Sequence, residues 1–276
     1  MFKFFPRALK NKSDNLSFWE HIDVLRFYII TSLIAIVLCA IAAFFFKSFL
    51  FDTVILGPSR DDFATYKVLC WFGRLLEMDE LCVRNFKMSF INIELGGQFR
   101  YHLLISVVSG FIVACPFIVW QLWLFIKPAL YQKELKYGRK AVYYLTGLFL
   151  TGVLFGYYVV VPLSVNFLAT YELSSQLVNQ ITIGSYISIV TTLTLSMGIV
   201  FELPILVFFL AKIGLLSPGF LTRNRKYAIV VIFIAAGFIT PSSDMFSMIL
   251  VALPLLVLFE ISIIICKKVA LKNEKA

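Results

Sequence analysis

Long apolar runs separated by shorter charged segments dominate the pattern of this chain. The first run, residues 27–46, is uncharged over 20 residues. As an α-helix it would measure about 30 Å, which is the thickness of the hydrocarbon core of a bilayer. The pattern predicts an all-α polytopic membrane protein with six transmembrane helices, in one integral membrane domain over residues 1–276. The other five predicted spans are residues 103–126, 141–162, 186–211, 228–240 and 246–266.

The last two spans are predicted to be short. The uncharged part of the fifth, residues 228–239, has 12 residues, or about 18 Å of helix, which cannot cross a normal bilayer unaided. It ends at Thr240-Pro241, and the sixth span contains Pro254 and carries Glu260 towards its end. A short fifth span is more typical of local membrane thinning than of a cage for a small solute.

Polar segments connect the spans. Residues 1–26 comprise a basic tail and an amphipathic helix, which begins at the capping-box sequence Ser17-Phe18-Trp19-Glu20. We expect this helix to lie at the membrane surface and to lead into the first span. In the long loop 47–102, mixed apolar and charged positions over 61–82 favour one or two short interfacial helices, with a bend at Gly73. The other connections are residues 127–140, 163–185 and 212–227, and residues 267–276 form a C-terminal tail.

The basic residues predict the orientation in the membrane. Of the 25 Lys and Arg residues, 18 lie in the N-terminal segment, the 127–140 and 212–227 loops and the C-terminal tail. Because Lys and Arg are enriched on the cytoplasmic side of membrane proteins, we expect both termini and these two loops to be cytoplasmic. This distribution also accounts for the net charge of +9, so we expect no nucleic-acid partner.

The chain carries few residues of the kinds that catalyse reactions or bind metals. The five cysteines form no C-x-x-C pair and there are two histidines, so we expect neither a metal site nor a cofactor. The motifs H-E-x-x-H, G-x-S-x-G and the P-loop do not occur, and we expect no enzyme activity. A secondary transporter is the alternative, but it would require inverted repeats and paired broken helices.

Glu202 is the most costly acidic residue in the predicted spans, since Glu260 lies towards the end of its span, where it could extend to the headgroups. Glu202, in the fourth span, is followed by Pro204. A carboxylate there costs several kcal/mol unless it is neutral, paired or in contact with water. It could be neutral and hydrogen-bonded to a carbonyl freed by Pro204, or it could contact a partner helix or a substrate. We favour the second interpretation, because intramembrane acids are commonly functional.

The segment Trp123–Glu134 contains the most distinctive motif. It ends an apolar helix, breaks at Pro128 and places one acid, Glu134, in a basic stretch with four lysines and one arginine. On spacing alone, Glu134 would be a solvated carboxylate paired with a neighbouring lysine. The motif W-x-F-I-x-P-A-L-Y-x-x-E, however, resembles the first cytoplasmic loop of the TatC family, the signal-peptide receptors of the twin-arginine protein translocase. Further matches extend the resemblance over nearly the whole chain.

The resemblance implies a function and a set of partners. The protein would bind the twin-arginine signal peptides of folded cargo and organise TatA-like and TatB-like single-span proteins in the bacterial inner membrane. We also expect several copies to assemble within the complex. Phe125 and Glu134 fall on recognition positions of the family, and Tyr131 lies between them. Phe201-Glu202-Leu203-Pro204 matches the family's F-E-x-P sequence, in which the glutamate is linked to contacts with the single-span partners.

The first cytoplasmic motif departs from the family pattern H-L-x-E-L-R. Here His21-Ile22-Asp23-Val24-Leu25-Arg26 has valine where the family has glutamate. Glu20 lies one helical turn before Val24, on nearly the same face, so we predict that Glu20 replaces the missing carboxylate. Asp23 is the second choice, and Arg26 is assigned to the same surface.

Three further features concern the outer face. Pro58 falls in the family's outer loop. Asp244 lies in a turn similar to the family's T-P-P-D sequence but one residue longer, where it could also cap the sixth helix. Cys70 and Cys82 are the two cysteines outside the apolar runs, in a loop expected to be in an oxidising compartment, and we predict that they form a disulfide. A continuous helix would hold them about 18 Å apart, so the bond requires a bend.

Overall fold

The protein is described by a computed structural model covering residues 18–75, 77, 88–127, 135–171, 174, 179–212, 214–241 and 244–273. These residues form ten α-helices and two short β-strands. The helices are α1 Phe18–Phe45, α2 Ala64–Leu75, α3 Gly97–Ile126, α4 Leu135–Phe155, α5 Val161–Thr170, α6 Ile183–Val200, α7 Leu203–Lys212, α8 Pro218–Arg223, α9 Arg225–Ile239 and α10 Met245–Asn273.

The predicted fold class is confirmed. Five helical segments in the described chain are long and apolar enough to cross a membrane: Ile22–Phe45, Gly97–Phe125, Ala141–Thr170, Ile183–Lys212 and Met245–Leu271. Helix α9 is a further apolar helix of 15 residues, or about 22 Å, and it is short as predicted. The prediction of a short sixth span was wrong, because α10 has 29 residues and continues past Lys267 and Lys268. Lysine is a good helix former, and its long side chain can extend to water.

Two helices are longer than the sequence pattern predicted. The predicted surface helix and the first span form one continuous helix, α1. Helix α4 continues through a π-helical turn, Gly156–Val160, into α5, so the helical structure reaches Thr170 instead of ending at residue 162. Pro162 does not end it because it occupies the first turn of α5, where the missing backbone N–H has little effect. Helix α2 runs through Gly73.

Glycines allow the long helices to approach closely. Gly110 of α3 lies against α1, and a Cβ atom added to it would be 2.6 Å from the backbone nitrogen of Ala40. A Cβ on Gly152 of α4 would be 2.5 Å from the backbone oxygen of Met197 in α6. The G-x-x-x-G sequence Gly152–Gly156 therefore packs two helices of the same chain together, as small residues commonly do in membranes.

The main core lies between α5, α6, α9 and α10. Val161 of α5, Ile187 of α6, Ala236 of α9 and Val251 of α10 are all fully buried. We call the end of the bundle with the start of α1 and the end of α3 the N-terminal side. The opposite end carries the 46–96 connection, and we call it the long-loop side.

The 46–96 connection packs against the helices of the long-loop side. It begins with a π-helical segment, Phe49–Ile55, and a 3₁₀ turn, Gly57–Ser59. The Tyr157 hydroxyl donates to the carbonyl of Val54 at 2.6 Å, and the Tyr186 hydroxyl donates to the carbonyl of Ile55 at 2.6 Å. Tyrosines of the bundle thus satisfy carbonyl groups at the end of the segment.

The start of α2 is fixed to the helix around Pro162. The Tyr66 hydroxyl lies 3.0 Å from the carbonyl oxygen of Pro58 and 3.1 Å from that of Pro162, and burial raises the pKa of Tyr66. The Thr65 hydroxyl donates to the carbonyl of Tyr158. This carbonyl is four residues before Pro162, which has no N–H to donate to it. The loop therefore supplies a hydrogen bond that the proline removes.

A two-residue parallel ladder forms a small β-sheet on the long-loop side. Strand β1, Phe90–Ile91, pairs with β2, Ile181–Thr182, in the register Phe90 with Ile181. The ladder joins the two connections of the long-loop side. It is a small departure from the predicted all-α structure.

Candidate functional site

The motif at residues 21–26 and the described start of the 123–134 motif, residues 123–127, lie together on the N-terminal side. The rings of Tyr28 in α1 and Phe125 in α3 have centroids 6.3 Å apart and planes at 68°. Because α1 and α3 pack along each other, this contact brings residues 23–26 close to the end of α3. The sequence placed these segments about 100 residues apart, so their proximity is a result of the fold.

Helix α1 presents charged groups beside this contact. Asp23 and Arg26 are exposed and lie one turn apart, whereas Val24 and Leu25 are half-buried. Glu20 is in the first turn of α1, one turn before Val24. Lys127 is exposed at the end of α3. Tyr131 and Glu134 lie outside the described residues.

Gln121 is a polar residue of this region that the sequence analysis did not identify. Its side chain is 8% exposed. It follows Gly110 by 11 residues, or about three helical turns, and so lies on the face of α3 that meets α1. An uncharged amide among apolar residues gives little sequence signal, although its burial requires hydrogen-bonding partners. Gln121 adds a donor and an acceptor one turn from Phe125.

Glu202 lies at a break between two helices. Helix α6 ends at Val200 and α7 begins at Leu203, because Pro204 cannot donate a hydrogen bond to the carbonyl of Val200. The Glu202 carboxylate is close enough to the Cys115 thiol of α3 to interact with it electrostatically. Its Oε2 atom is buried without a hydrogen-bond partner among the described residues.

The surroundings of Glu202 bear on its two interpretations. The carboxylate interacts with the backbone N–H of Phe149 in α4, but its Oε2 atom has no partner in the described chain and so makes no bond to a freed carbonyl. Ile199 and Leu203 on either side of Glu202 are exposed apolar residues. Glu202 itself is half-buried, so part of the residue lies at the surface of the bundle while its Oε2 atom lies beneath it.

The other predicted acidic residues have structural partners. The Arg225 guanidinium at the start of α9 forms an ion pair with the Glu260 carboxylate of α10. The Oδ1 atom of Asp244 accepts a hydrogen bond from the Ser247 backbone at 2.7 Å, which caps α10. Pro58 is buried within the 3₁₀ turn of the 46–96 connection.

The cysteines fall into two groups. Cys70 is disulfide-bonded, whereas Cys39, Cys115 and Cys266 are free thiols. Cys82 lies outside the described residues, so its pairing with Cys70 stays a prediction. No group of three or more His, Cys, Asp or Glu side chains that could hold a metal ion occurs in the described part of the chain.

Comparison with known proteins identifies the family. The family model for the Sec-independent protein translocase protein (TatC) matches residues 20–254. A protein of that name from Blattabacterium sp. subsp. Periplaneta americana is 37% identical over 267 residues, which cover 96% of this chain and 100% of the relative. Another, from Carboxydothermus hydrogenoformans, is 35% identical over 254 residues, which cover 91% of this chain and 93% of the relative.

Solved structures agree with this result. Two crystal structures of the twin-arginine translocase receptor TatC match with TM-scores of 0.69 and 0.72 and identities of 32% and 31%. The matches cover 91% and 89% of this chain and 100% and 98% of those chains. Since the family model, the relatives and the fold all agree over most of its length, this chain is a multi-pass membrane protein of the TatC family of Sec-independent protein translocase components.

Proposed function

We propose that this protein is the core receptor subunit of a twin-arginine translocation system. Its receptor surface consists of Glu20, Asp23 and Arg26 of α1, Phe125 of α3, and Tyr131 and Glu134 in the loop that follows. The observation that carries the proposal is the contact between Tyr28 and Phe125. It supports one continuous surface built from two motifs that are distant in sequence. The solved relatives are described as twin-arginine translocase receptors, which supports the same function.

The chemistry of the surface suits a peptide with paired arginines. A guanidinium forms its strongest hydrogen bonds with carboxylates, often in a bidentate arrangement. Glu134 provides one carboxylate, and Glu20 or Asp23 provides the second in place of the glutamate that Val24 replaces. Phe125 offers an apolar surface to the hydrophobic part of the signal peptide.

The proposed orientation has both termini and the receptor surface in the cytoplasm, with the protein in the bacterial inner membrane. The concentration of Lys and Arg on the N-terminal side supports it. The disulfide of Cys70 lies in the connection on the opposite side, and disulfides persist in oxidising compartments. Cysteine labelling should therefore reach residue 67 from outside and residues 134 and 223 from inside. Labelling of residue 134 from outside would exclude the receptor function.

A second contact site would hold the partner helices. The Glu202 carboxylate has a buried oxygen without a partner in the described chain, at a break in a membrane helix. A polar group on a TatA-like or TatB-like single-span helix would satisfy it, since polar contacts within a membrane favour helix association. Several copies of the chain would assemble around such partners.

The function is tested by equilibrium binding of a fluorescent signal peptide to the purified protein in nanodiscs. A peptide with paired arginines should bind, and the variant with paired lysines should bind much more weakly, because a lysine cannot form the bidentate pair. The alternative, a secondary transporter of a small solute, would be indifferent to both peptides. Equal affinity for the two peptides would contradict the receptor function.

A further inference from the structure

Helix α2 has an exposed apolar stripe opposite the face that packs on the protein. Tyr66 and Gly73 are buried against the bundle. Val68, Trp71 and Leu75 are 53%, 62% and 67% exposed. Their spacing of three and four residues places them on one side of the helix, about half a turn away from Tyr66 and Gly73. The stripe is therefore a second apolar face, apart from the one that the bundle covers.

Basic residues border this stripe. Lys67 and Arg74 are exposed and lie seven residues apart, so they line the same edge of the helix, next to Trp71. An amphipathic helix with tryptophan in its apolar face and cations beside it is typical of a helix in the membrane interface. The aliphatic parts of Lys and Arg side chains can lie along the apolar surface while their charges contact phosphate groups.

The contacts of α2 fix its depth. Its first turn is bonded to the backbone carbonyls of Tyr158 and Pro162. These residues follow Ala141, the first residue of that apolar helical segment, by 17 and 21 residues. At about 1.5 Å per residue they lie roughly 26–32 Å along the helix, where about 30 Å of hydrocarbon gives way to headgroups.

Helix α2 begins beside an exposed apolar surface of the bundle. Leu154 and Tyr158 are exposed and lie one turn apart on the same segment. The Phe63 ring, just before α2, stacks on the Tyr158 ring at 5.5 Å with planes 13° apart. The apolar surface of the span therefore continues into the connection that carries α2.

We propose that the Val68–Trp71–Leu75 stripe lies in the headgroup region of the outer leaflet, with Lys67 and Arg74 at lipid phosphates. Tryptophan favours this zone because its ring is largely apolar but carries one polar N–H group. The choice of leaflet rests on the orientation proposed above. The depth of α2 rests on the contacts with Tyr158 and Pro162 and is independent of signal-peptide binding.

Trp71 itself provides the test. The other tryptophans are Trp19, Trp120 and Trp123, and replacing all three with phenylalanine leaves Trp71 as the single emitter. The protein is placed in phosphatidylcholine nanodiscs containing lipids with a nitroxide either near the headgroup or near the end of the acyl chain. We expect blue-shifted emission, stronger quenching by the shallow nitroxide than by the deep one, and weak quenching by iodide.

A depth control uses an exposed residue within the first span. Ile34→Trp, in the same background with Trp71→Phe, should be quenched more by the deep nitroxide than by the shallow one. If the triple variant does not fold, the difference between the emission of the wild type and that of Trp71→Phe isolates the same signal.

Two results would overturn the proposal. If iodide quenches the emission and neither nitroxide lipid does, Trp71 lies in water. Emission that no quencher reaches would place it under protein, either a partner or a second copy of the chain. A failure of either kind leaves peptide binding on the N-terminal side untouched, so the two proposals can be rejected separately.

Discussion

The ring of Tyr28 meets the ring of Phe125 edge-on, with centroids 6.3 Å apart. This contact joins the start of the first membrane helix to the end of the third helix, α3. Asp23 and Arg26 of α1 lie close to it, and α3 ends at Ile126, directly after Phe125. The proposed receptor surface therefore depends on an aromatic contact between helices, and its geometry can be tested by changing that contact.

Removing either ring should weaken peptide binding and stability together. T-shaped aromatic pairs contribute about 0.5–1.5 kcal/mol beyond the burial of their area. In a double-mutant cycle, Tyr28→Ala and Phe125→Ala should show coupling of this size in thermal unfolding, and both should lower signal-peptide affinity. Phe111 and Phe149 form a matched control pair, with centroids 6.0 Å apart and planes at 74°. Their alanine variants should lose stability but keep peptide affinity; loss of affinity in the control pair would show that the effect is general destabilisation.

The carboxylates should contribute unequally to peptide binding. Charge-assisted hydrogen bonds contribute about 1.5–3 kcal/mol each. Glu134→Gln and Glu20→Gln should therefore each lower the affinity for the twin-arginine peptide by roughly tenfold or more. Asp23→Asn should have a smaller effect. The double variant Glu20→Gln/Glu134→Gln should bind the twin-arginine peptide about as weakly as the wild type binds the twin-lysine peptide.

A distant carboxylate controls for the change in net charge. Asp52 is exposed on the long-loop side, and Asp52→Asn should leave affinity unchanged. If Glu20→Gln and Asp23→Asn both bind the peptide like the wild type while Glu134→Gln does not bind it, recognition rests on one carboxylate. The argument that Glu20 compensates for Val24 would then be wrong.

Close packing of α4 and α6 predicts opposite effects of two glycine substitutions. A Cβ at position 152 would lie 2.5 Å from a backbone oxygen, whereas one at position 147 would have no atom within 4 Å. Overpacking commonly costs about 1–3 kcal/mol, so Gly152→Ala should lower the unfolding temperature in detergent. Gly147→Ala should be neutral or stabilising, because alanine favours helix. Equal unfolding temperatures for the two variants would contradict the close approach of the helices.

Glu202 should affect partner assembly and leave the receptor surface unchanged. Glu202→Ala removes the carboxylate at the α6–α7 break, and we expect weaker crosslinking to a TatA-like or TatB-like helix with unchanged peptide affinity. Glu202→Gln should retain part of the crosslinking, since an amide can still form hydrogen bonds. Glu260→Gln, which alters the ion pair with Arg225, provides the control for loss of a membrane carboxylate. Normal crosslinking and normal export in Glu202→Ala would favour a local, structural role for this residue.

The sequence predicted those features that depend on local composition. Apolar length located the helices, although the fourth span was predicted as one segment, 186–211, and Pro204 divides it into α6 and α7. The pattern underestimated α10 because lysines at a helix end can remain helical, and it ended the third span at Pro162 because the effect of proline depends on its position in a turn. It could not predict that Thr65 would satisfy the carbonyl of Tyr158, or that Tyr186 would bind Ile55, because these contacts join residues 93 and 131 positions apart.

The candidate site was predictable to a similar extent. Charge and the family resemblance identified Asp23, Arg26, Phe125 and Glu202 as candidates. Gln121 was missed because an uncharged amide does not interrupt an apolar pattern. The proximity of the two motifs, and the half-buried position of Glu202, follow from helix packing and required the structure.

Photocrosslinking from position 125 tests the central claim most directly. Benzoylphenylalanine in place of Phe125 is irradiated in membranes with a precursor that carries a twin-arginine signal peptide and a folded cargo. The same substitution at Phe45, an exposed residue on the long-loop side, provides the control. The proposed receptor surface predicts a crosslink to the signal peptide from position 125, its loss with the twin-lysine precursor, and none from position 45. No crosslink from position 125, or an equal one with the twin-lysine precursor, would contradict it.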